Sequence, residues 1–420
     1  MDDLIAGNLP GTRDILPEDI APWQLAEDHA RRIFDSYGFL EIRTPIIEAT
    51  ELFARSIGSD TDIVGKEMYT FVDQSKRSVT LRPEATASAV RAYLQNRMHR
   101  GGAITKLYYI GPMFRHEKKQ MGRWRQFYQV GAETLGSGHP AADAEIIEMA
   151  SWFLESLGIQ SRLLLNSVGC RDCRPRYIEI LRLALQQRLS RLCEDCRRRA
   201  ETNPLRVFDC KVENCQTAIN ELPFITDHLC QDCSEHFGKV RAYLDDAEIS
   251  YEIVPRLVRG LDYYVRTAFE IVSGELGAQN ALVGGGRYDD LAEILGGPAV
   301  PALGFAMGLD RLVMLLPEER RAEWEWKPDV FAAYMGEAAF RKAREIVRDL
   351  RHQGLVCYLD FSEGRLKNQM RLANKLKAEH VLIIGEDELK RGRFSIKRLE
   401  DSRQWEITLP ELIEYLKSRK

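Results

Sequence analysis

The sequence predicts an α+β fold, in which helical stretches alternate with short strand-like runs that pair antiparallel. Three observations predict it. A helix-period pattern of Trp23, Ala26, Ala30, Ile33 and Phe34 leads into the extended FLEIRTPIIE. KLYYIGPMFR and QFYQVGAETL are strand-like and flank the polar, basic HEKKQMGRWR, which reads as an antiparallel hairpin with a long tip. Beyond a linker-like Trp324–Pro328 the texture becomes a small α/β unit. It runs from DVFAAYM through an amphipathic helix (Phe340, Ala343, Val347, Leu350), GLVCYLD, a second helix and VLIIG to a last helix, LPELIEYLKS.

Texture divides the chain into four regions: 1–167, 168–237, 238–325 and 328–420. The second region stands apart because eight of the nine cysteines fall there. There is no internal repeat. At 420 residues, 45% of them hydrophobic and 29% charged, the chain has the composition of a globular protein of two to three domains. No apolar run approaches the roughly 20 residues of a membrane span, and MDDLIAGNLPGTRD lacks the basic and apolar regions of a signal peptide. A cytoplasmic location with no membrane partner is the expectation. The net charge of −4 hides an asymmetry: residues 327–420 carry a net +5 and the rest a net −9. That is either a basic module for a polyanion or a charge-rich solvated surface.

Residues two apart on a strand share a face. VTLRPEATAS read as a strand therefore groups Thr80, Arg82 and Glu84, with Thr86 close by if the strand continues past Pro83. QFYQVGAETL groups Phe127, Gln129, Gly131 and Glu133: a ring, an amide, a gap and a carboxylate. Such a face is a poor core, because buried polar groups without partners cost free energy, so it is solvated or meets a polar ligand. In the hairpin tip, Arg115 and Arg123 have the forked geometry that grips phosphate, and Phe127 could stack under a base; solvated cations on an exposed loop are the plain alternative. RGLDYYVRTAFEI reads as an Arg–Gly pair running into a Tyr-rich strand. The triple glycine of ALVGGGRYDDL permits either close approach to a ligand or a tight turn. ALGFAMGLDRLVML reads as a buried strand, a turn at Gly308 and a helix opening near Asp310 and Arg311. A cation there opposes the helix dipole, so Arg311 is expected to face an anion. No GxxxxGK[ST] sequence occurs, so any ATP site would use arginines on an antiparallel sheet.

The cysteines pair as Cys170/Cys173, Cys193/Cys196, Cys210/Cys215 and Cys230/Cys233. The spacing fits structural Zn²⁺ held by thiolates, in two four-cysteine sites or one site with leftovers. Buried free thiols would not predict paired spacing.

PGTRDILPED, RTPIIEATELF, TLRPEATA, YIGPMFRHE, GRWRQFYQVGAE, RGLDYY, GGGRYDDL and PALGFAMGLDRL resemble, in order and spacing, the signatures of bacterial histidyl-tRNA synthetases, a class II aminoacyl-tRNA synthetase family. The resemblance spans nearly the whole chain. It implies a class II antiparallel sheet flanked by helices in two parts (1–167 and 238–325), a Cys-rich insertion (168–237), a C-terminal α/β anticodon-binding domain (328–420) and a homodimer formed around Pro45. It also implies histidine, ATP with Mg²⁺, and tRNA(His) as substrates.

By the same resemblance Arg115, Arg259 and Arg311 are catalytic. Arg115, Glu117, Arg123, Phe127 and Arg311 hold ATP; Glu84, Thr86, Gln129, Glu133, Tyr263 and Tyr264 hold histidine; and Gln120 meets the tRNA acceptor end. Three positions depart from the common pattern: Ala85 for glycine, Lys119 for proline, and Val265–Arg266 for Thr–Gly, with Arg266 expected to point to solvent. A non-catalytic regulatory paralogue, or a class II enzyme for proline, threonine or glycine, fits the residues less well. The first tends to lose the RGLDYY arginine, and the others have no call for a pocket of Gln129, Glu133 and twin tyrosines.

Overall fold

The computed structural model describes residues 7–58, 61, 63–117, 122–276, 281–322, 324–362 and 364–418. They form two compact units, one ending at Trp324 and the other beginning at Glu325.

The first unit is built on an eight-stranded sheet. Across it run Leu40–Glu41, Thr105–Phe114, Gln126–Leu135, Ala302–Gly308, Ala281–Arg287, Val265–Val272, Arg162–Ser167 and Tyr251–Ile253. The inner pairs are antiparallel, including the expected hairpin, in which Thr105 faces Leu135 and Phe114 faces Gln126. The two edge pairs are parallel, so the sheet is mixed rather than purely antiparallel. A parallel pair needs a long crossover, and both edges have one: the cysteine-rich segment lies between Arg162–Ser167 and Tyr251–Ile253.

Strand alternation sorts the sheet into two chemistries. One face carries Tyr108, Val130, Ala132, Leu165, Phe269 and Phe305 into a core closed by the helices Ala21–Ser36 and Pro140–Ser156. Trp23, Ala26, Ala30, Ile33 and Phe34 are all buried there. Each large apolar side chain so buried contributes about 1.5–3 kcal/mol. The opposite face carries Phe127, Gln129, Gly131 and Glu133.

A three-stranded sheet orders Ile47–Ala49, Ser78–Leu81 and Tyr69–Val72. VTLRPEATAS does not continue as a strand past Pro83: the strand stops at Leu81, and the chain turns into the helix Thr86–Gln95. Proline has no N–H for the ladder, and Glu84 takes up a different task at the helix start. Thr80 faces Thr50 and Thr70, at 3.2 and 2.6 Å, rather than Glu84.

The cysteine-rich segment folds as helices Arg174–Gln186, Glu194–Thr202 and Glu213–Ile219 around a core of its own that includes Tyr177, Leu181, Leu185, Phe208 and Ile219. It returns to the sheet through the helix Gln231–Asp246.

The second unit orders Cys357–Leu359, Val330–Tyr334, His380–Ile384, Phe394–Arg398 and Gln404–Ile407. The first three strands, which pair in parallel, fall in the expected segments GLVCYLD, DVFAAYM and VLIIG. The antiparallel pair FSIKR and QWEI was not expected, because charged residues blur its alternation. Among the described residues no helix is long and apolar enough to cross a membrane.

Candidate active site

The polar face of the sheet opens into a cleft of about 300 Å³ lined by Arg115, Glu117, Arg123, Phe127, Gln129, Arg259 and Arg311, among others. Its two ends differ.

At the outer end the hairpin strands deliver Arg115 and Phe127 side by side. The Arg115 guanidinium lies 5.5 Å from the Phe127 ring centroid, and its Nε donates to the Pro83 carbonyl at 2.8 Å. Glu117 accepts from Arg123 at 2.6 Å and lies 3.8 Å from Arg115. Arg311, in the helix Leu309–Leu315, donates to the Ala281 carbonyl at 2.8 Å. Burial, and then the nearby charge of Arg123, push the Arg311 guanidinium below its ordinary pKa. Two cations held this close repel each other, and an anion between them relieves the cost. Gln120 lies outside the described residues.

Sequence reasoning missed what steadies this end. Arg13 of PGTRD donates to Asp310 at 2.9 Å and lies over the rings of Trp124 and Trp23, at 4.7 and 5.7 Å. Asp310 also accepts from the Tyr128 N–H at 2.9 Å, so one carboxylate ties the N-terminal segment and the hairpin to the helix carrying Arg311.

Toward the inner end Arg259 pairs with Glu270 and faces the Tyr264 ring at 5.7 Å. The triple glycine is neither a turn nor a loop; it lies within the strand Ala281–Arg287. A Cβ at Gly284 would overlap the Arg259 guanidinium, so the missing side chain makes room for that arginine. The two tyrosines precede their strand, which starts at Val265, and stand 4.7 Å apart by ring centroid.

Glu84 accepts from the N–H groups of Thr86 and Ala87, at 2.7 and 3.0 Å, and so caps the helix Thr86–Gln95. Ala85, at φ −115°, needs no glycine. Glu133 is fully buried and accepts from Thr86 Oγ1 at 2.7 Å, Tyr109 at 3.2 Å and Tyr288. Burial outweighs those hydrogen bonds and, with Glu84 nearby, pushes the Glu133 carboxyl up to about 8. Of the six expected histidine-binding residues only Gln129 lines the open cleft; Glu84, Thr86, Glu133, Tyr263 and Tyr264 are buried. Gln129 Oε1 and Arg259 Nε are buried without a hydrogen-bond partner among the described residues. Unsatisfied buried polar atoms are costly, and two in one cleft are the mark of a ligand site.

At the end of the strand Ala281–Arg287, Arg287 is fully buried and bonds Asp143, Asp289 at 3.1 Å and the Ser137 carbonyl at 2.8 Å. Burial opposes ionisation of Asp143, but His236 and Arg287 outweigh it and hold its carboxyl below the ordinary value. Arg266, expected to face solvent, is half-buried with its guanidinium 3.5 Å from His236 Nδ1. Its φ of +51° explains why a glycine suits that position.

The eight insertion cysteines gather into two sets: Cys170, Cys173, Cys230 and Cys233, and Cys193, Cys196, Cys210 and Cys215. The thiols thus divide evenly between two sets. Sulfur–sulfur distances are 3.8 Å for Cys170–Cys173 and Cys170–Cys230, and 3.9 Å for Cys173–Cys233 and Cys193–Cys210. Tetrahedral zinc with bonds of about 2.3 Å sets its sulfurs about 3.8 Å apart, whereas a disulfide needs about 2.05 Å.

A family model described as histidyl-tRNA synthetase matches residues 11–312, and one described as an anticodon-binding domain matches 329–419. The chain belongs to the histidyl-tRNA synthetase family. It is 50% identical over 404 residues to the histidine–tRNA ligase of Solibacter usitatus, covering 96% of each chain. It is 48% identical to that of Syntrophotalea carbinolica, again covering 96% of each. Its fold is similar to that of the apo histidyl-tRNA synthetase of S. aureus, with a TM-score of 0.83, 37% identity, and 98% of this chain and all of that one covered. Histidyl-tRNA synthetases are class II aminoacyl-tRNA synthetases, so the mixed sheet, its helices and the C-terminal unit are a class II ligase architecture with an anticodon-binding domain.

Proposed function

We infer that this chain activates histidine with ATP, forming histidyl-adenylate and pyrophosphate, and then passes histidine to the 3′ end of tRNA(His). The observation that carries the reading is a single cleft in which Arg115, Arg123, Arg259 and Arg311 stand beside the unsatisfied Gln129 and Arg259 atoms. The histidine carboxylate attacks the α-phosphorus in line, which brings two anions together. Arg115 and Arg259 offset that charge and orient the attack. Arg311 and Arg123 hold the outer phosphates. Phe127 stacks on adenine, and Glu117 accepts from its amino group. Mg²⁺ arrives on the β and γ phosphates as part of the substrate and supplies charge for the departing pyrophosphate.

Glu84, Thr86 and Gln129 receive the histidine amino group, while Glu133, Tyr263 and Tyr264 receive the ring. A carboxyl poised at about 8 suits an imidazole, because it can donate or accept as the ring requires. Gln120 meets the tRNA acceptor end, and the basic unit from residue 328 reads the anticodon. Its helix Glu337–His352 carries Arg341, Arg344, Arg348 and Arg351 beside the exposed Phe361. The chain works in the cytoplasm as a homodimer. Leu40, Ile47, Phe71 and Val72, near Pro45, are 69%, 52%, 45% and 69% exposed, an apolar area that a second copy would cover. The insertion holds structural Zn²⁺: four thiolates close each site and leave no open position for catalysis.

Pyrophosphate exchange followed by tRNA charging tests the reading. Both reactions should depend on histidine, and exchange without histidine dependence would overturn it.

A further inference from the structure

The segment from Arg256 to Tyr264 carries Arg259 and both tyrosines, yet much of its hold comes from the insertion. Arg174 donates to the carbonyls of Val168 at 3.1 Å, Gly169 at 3.3 Å and Tyr264. Asn203 donates to Asp262 at 3.2 Å, and Arg206 donates to the Gly260 carbonyl. Arg256 reaches back to Gln216 and Asn220, at 3.2 Å each. From outside the insertion, Asn166 holds the start of the segment through the carbonyls of Pro255 and Leu257 at 3.0 and 2.8 Å, Glu270 pairs with Arg259, and the Ile57 carbonyl accepts from the Asp262 N–H at 3.4 Å.

Each grip lies next to a cysteine or on a segment that a cysteine set ties down. Arg174 follows Cys173 and Gln216 follows Cys215, while Asn203 and Arg206 lie on the short stretch between Cys196 and Cys210. The two cysteine sets are nested. Cys170/Cys173 leave the sheet where Cys230/Cys233 return to it, so the first set closes the neck of the insertion. The second set closes its interior. Backbone N–H groups already point at the sulfurs: Cys170 N to Cys173 Sγ at 3.3 Å, Asp172 N to Cys170 Sγ at 3.4 Å, Cys193 N to Cys215 Sγ at 3.1 Å and Val212 N to Cys210 Sγ at 3.4 Å. Such donors stabilise thiolates and orient metal ligands.

We propose that two Zn²⁺ ions, one in each four-cysteine set, are positioning elements for histidine binding, because they fix the insertion segments whose Arg174, Asn203, Arg206 and Gln216 grip residues 256–264. The ions touch no substrate. This rests on the synthetase reading of the cleft and on zinc as the insertion's metal. Without the ions the insertion loses its internal ties, the grips slacken, and Tyr263 and Tyr264 sample positions that do not receive histidine. The ATP contacts of Arg115, Glu117 and Phe127 come from the hairpin and keep their geometry.

The full chain, purified without chelator, should contain two zinc ions by elemental analysis; its absence would end the zinc reading and the proposal with it, while leaving histidine activation untouched. Metal-stripped and zinc-reloaded protein are then compared by pyrophosphate exchange with each substrate varied in turn. Stripping should raise the histidine KM about tenfold, the scale of one or two lost hydrogen bonds, leave the ATP KM within about twofold, and be reversed by zinc. Arg174→Ala in zinc-replete protein should show the same selective rise at unchanged zinc content, with partial recovery in Arg174→Lys. Should the stripped protein unfold, the Arg174 pair decides the matter, since it keeps the metal. Full zinc content with an unchanged histidine KM in Arg174→Ala, or with both KM values rising together, would overturn the coupling.

Discussion

The two ends of the cleft are built on opposite principles. At the outer end Arg115, Arg123 and Arg311 line an open cleft, and Arg123 and Arg311 repel one another. At the inner end Glu84, Thr86, Glu133, Tyr109 and Tyr288 are buried and satisfy one another. An end that must take up a polyphosphate gathers cations whose mutual repulsion the ligand relieves. An end that must tell one amino acid from nineteen is fixed in advance by its own hydrogen bonds. Arg259 stands at the junction of the two, and its substitution should cost most.

Arg259→His should fold normally and lose about 10²–10³-fold in pyrophosphate exchange, the usual toll for removing a preorganised charge at a transition state. A partly protonated imidazole is a poor replacement for a guanidinium between two anions. Exchange near the wild-type rate would detach Arg259 from the chemistry.

Gln120→Ala tests whether the hairpin tip belongs to either end. Exchange should stay nearly intact, while tRNA charging falls about ten- to a hundredfold, as for one lost specific contact. Histidine tRNAs carry an extra 5′ guanosine at the acceptor end that the family's enzymes meet with this loop, and the defect should shrink on a tRNA that lacks it. An equal loss on both tRNAs would make Gln120 a support for the loop and not a reader.

Removing residues 328–420 should leave histidine activation within about twofold and flatten the salt dependence of charging, because the cleft lies wholly in the first unit and the removed unit carries the basic excess. Charging unaffected by the truncation would rule the second unit out as the anticodon reader.

The smallest effect is on stability. Glu133 has its native pKa raised from 4.5 to about 8, so between those values the folded state holds a proton that the unfolded state releases. Stability from this group is therefore fully present below about pH 4.5 and is lost as pH rises through about 8. Glu133→Gln cannot ionise, so its urea midpoint should fall less than that of the wild type between pH 5.5 and 8.5. Parallel declines would show that Glu133 ionises without cost.

These buried polar groups are also where the sequence was least readable. Strand alternation, a local rule, grouped Phe127, Gln129, Gly131 and Glu133 on one face, whereas the role of Arg259 came only from the family resemblance. Glu84 misled, since a strand pattern cannot reveal that Pro83 ends the strand and that the carboxylate then caps a helix. The triple glycine kept two meanings until Arg259 was seen to occupy the space beside Gly284. Arg13 with Asp310, and Arg287 with Asp143, are pairs between residues more than a hundred positions apart, and no local pattern carries them. Cysteine spacing announced a metal site but left open how eight thiols divide, because nesting is a property of the fold. The antiparallel strands Phe394–Arg398 and Gln404–Ile407 were hidden by charges on their exposed faces.

The most direct test of the division between the two ends is pyrophosphate exchange with ATP and histidine varied separately in Arg311→Ala and Glu133→Gln. Arg311→Ala should raise the ATP KM about tenfold or more, the value of one charge-assisted contact, with little change for histidine. Glu133→Gln should raise the histidine KM and spare that for ATP. If either substitution moved both values alike, the cleft would be one coupled site and the division of labour would be wrong.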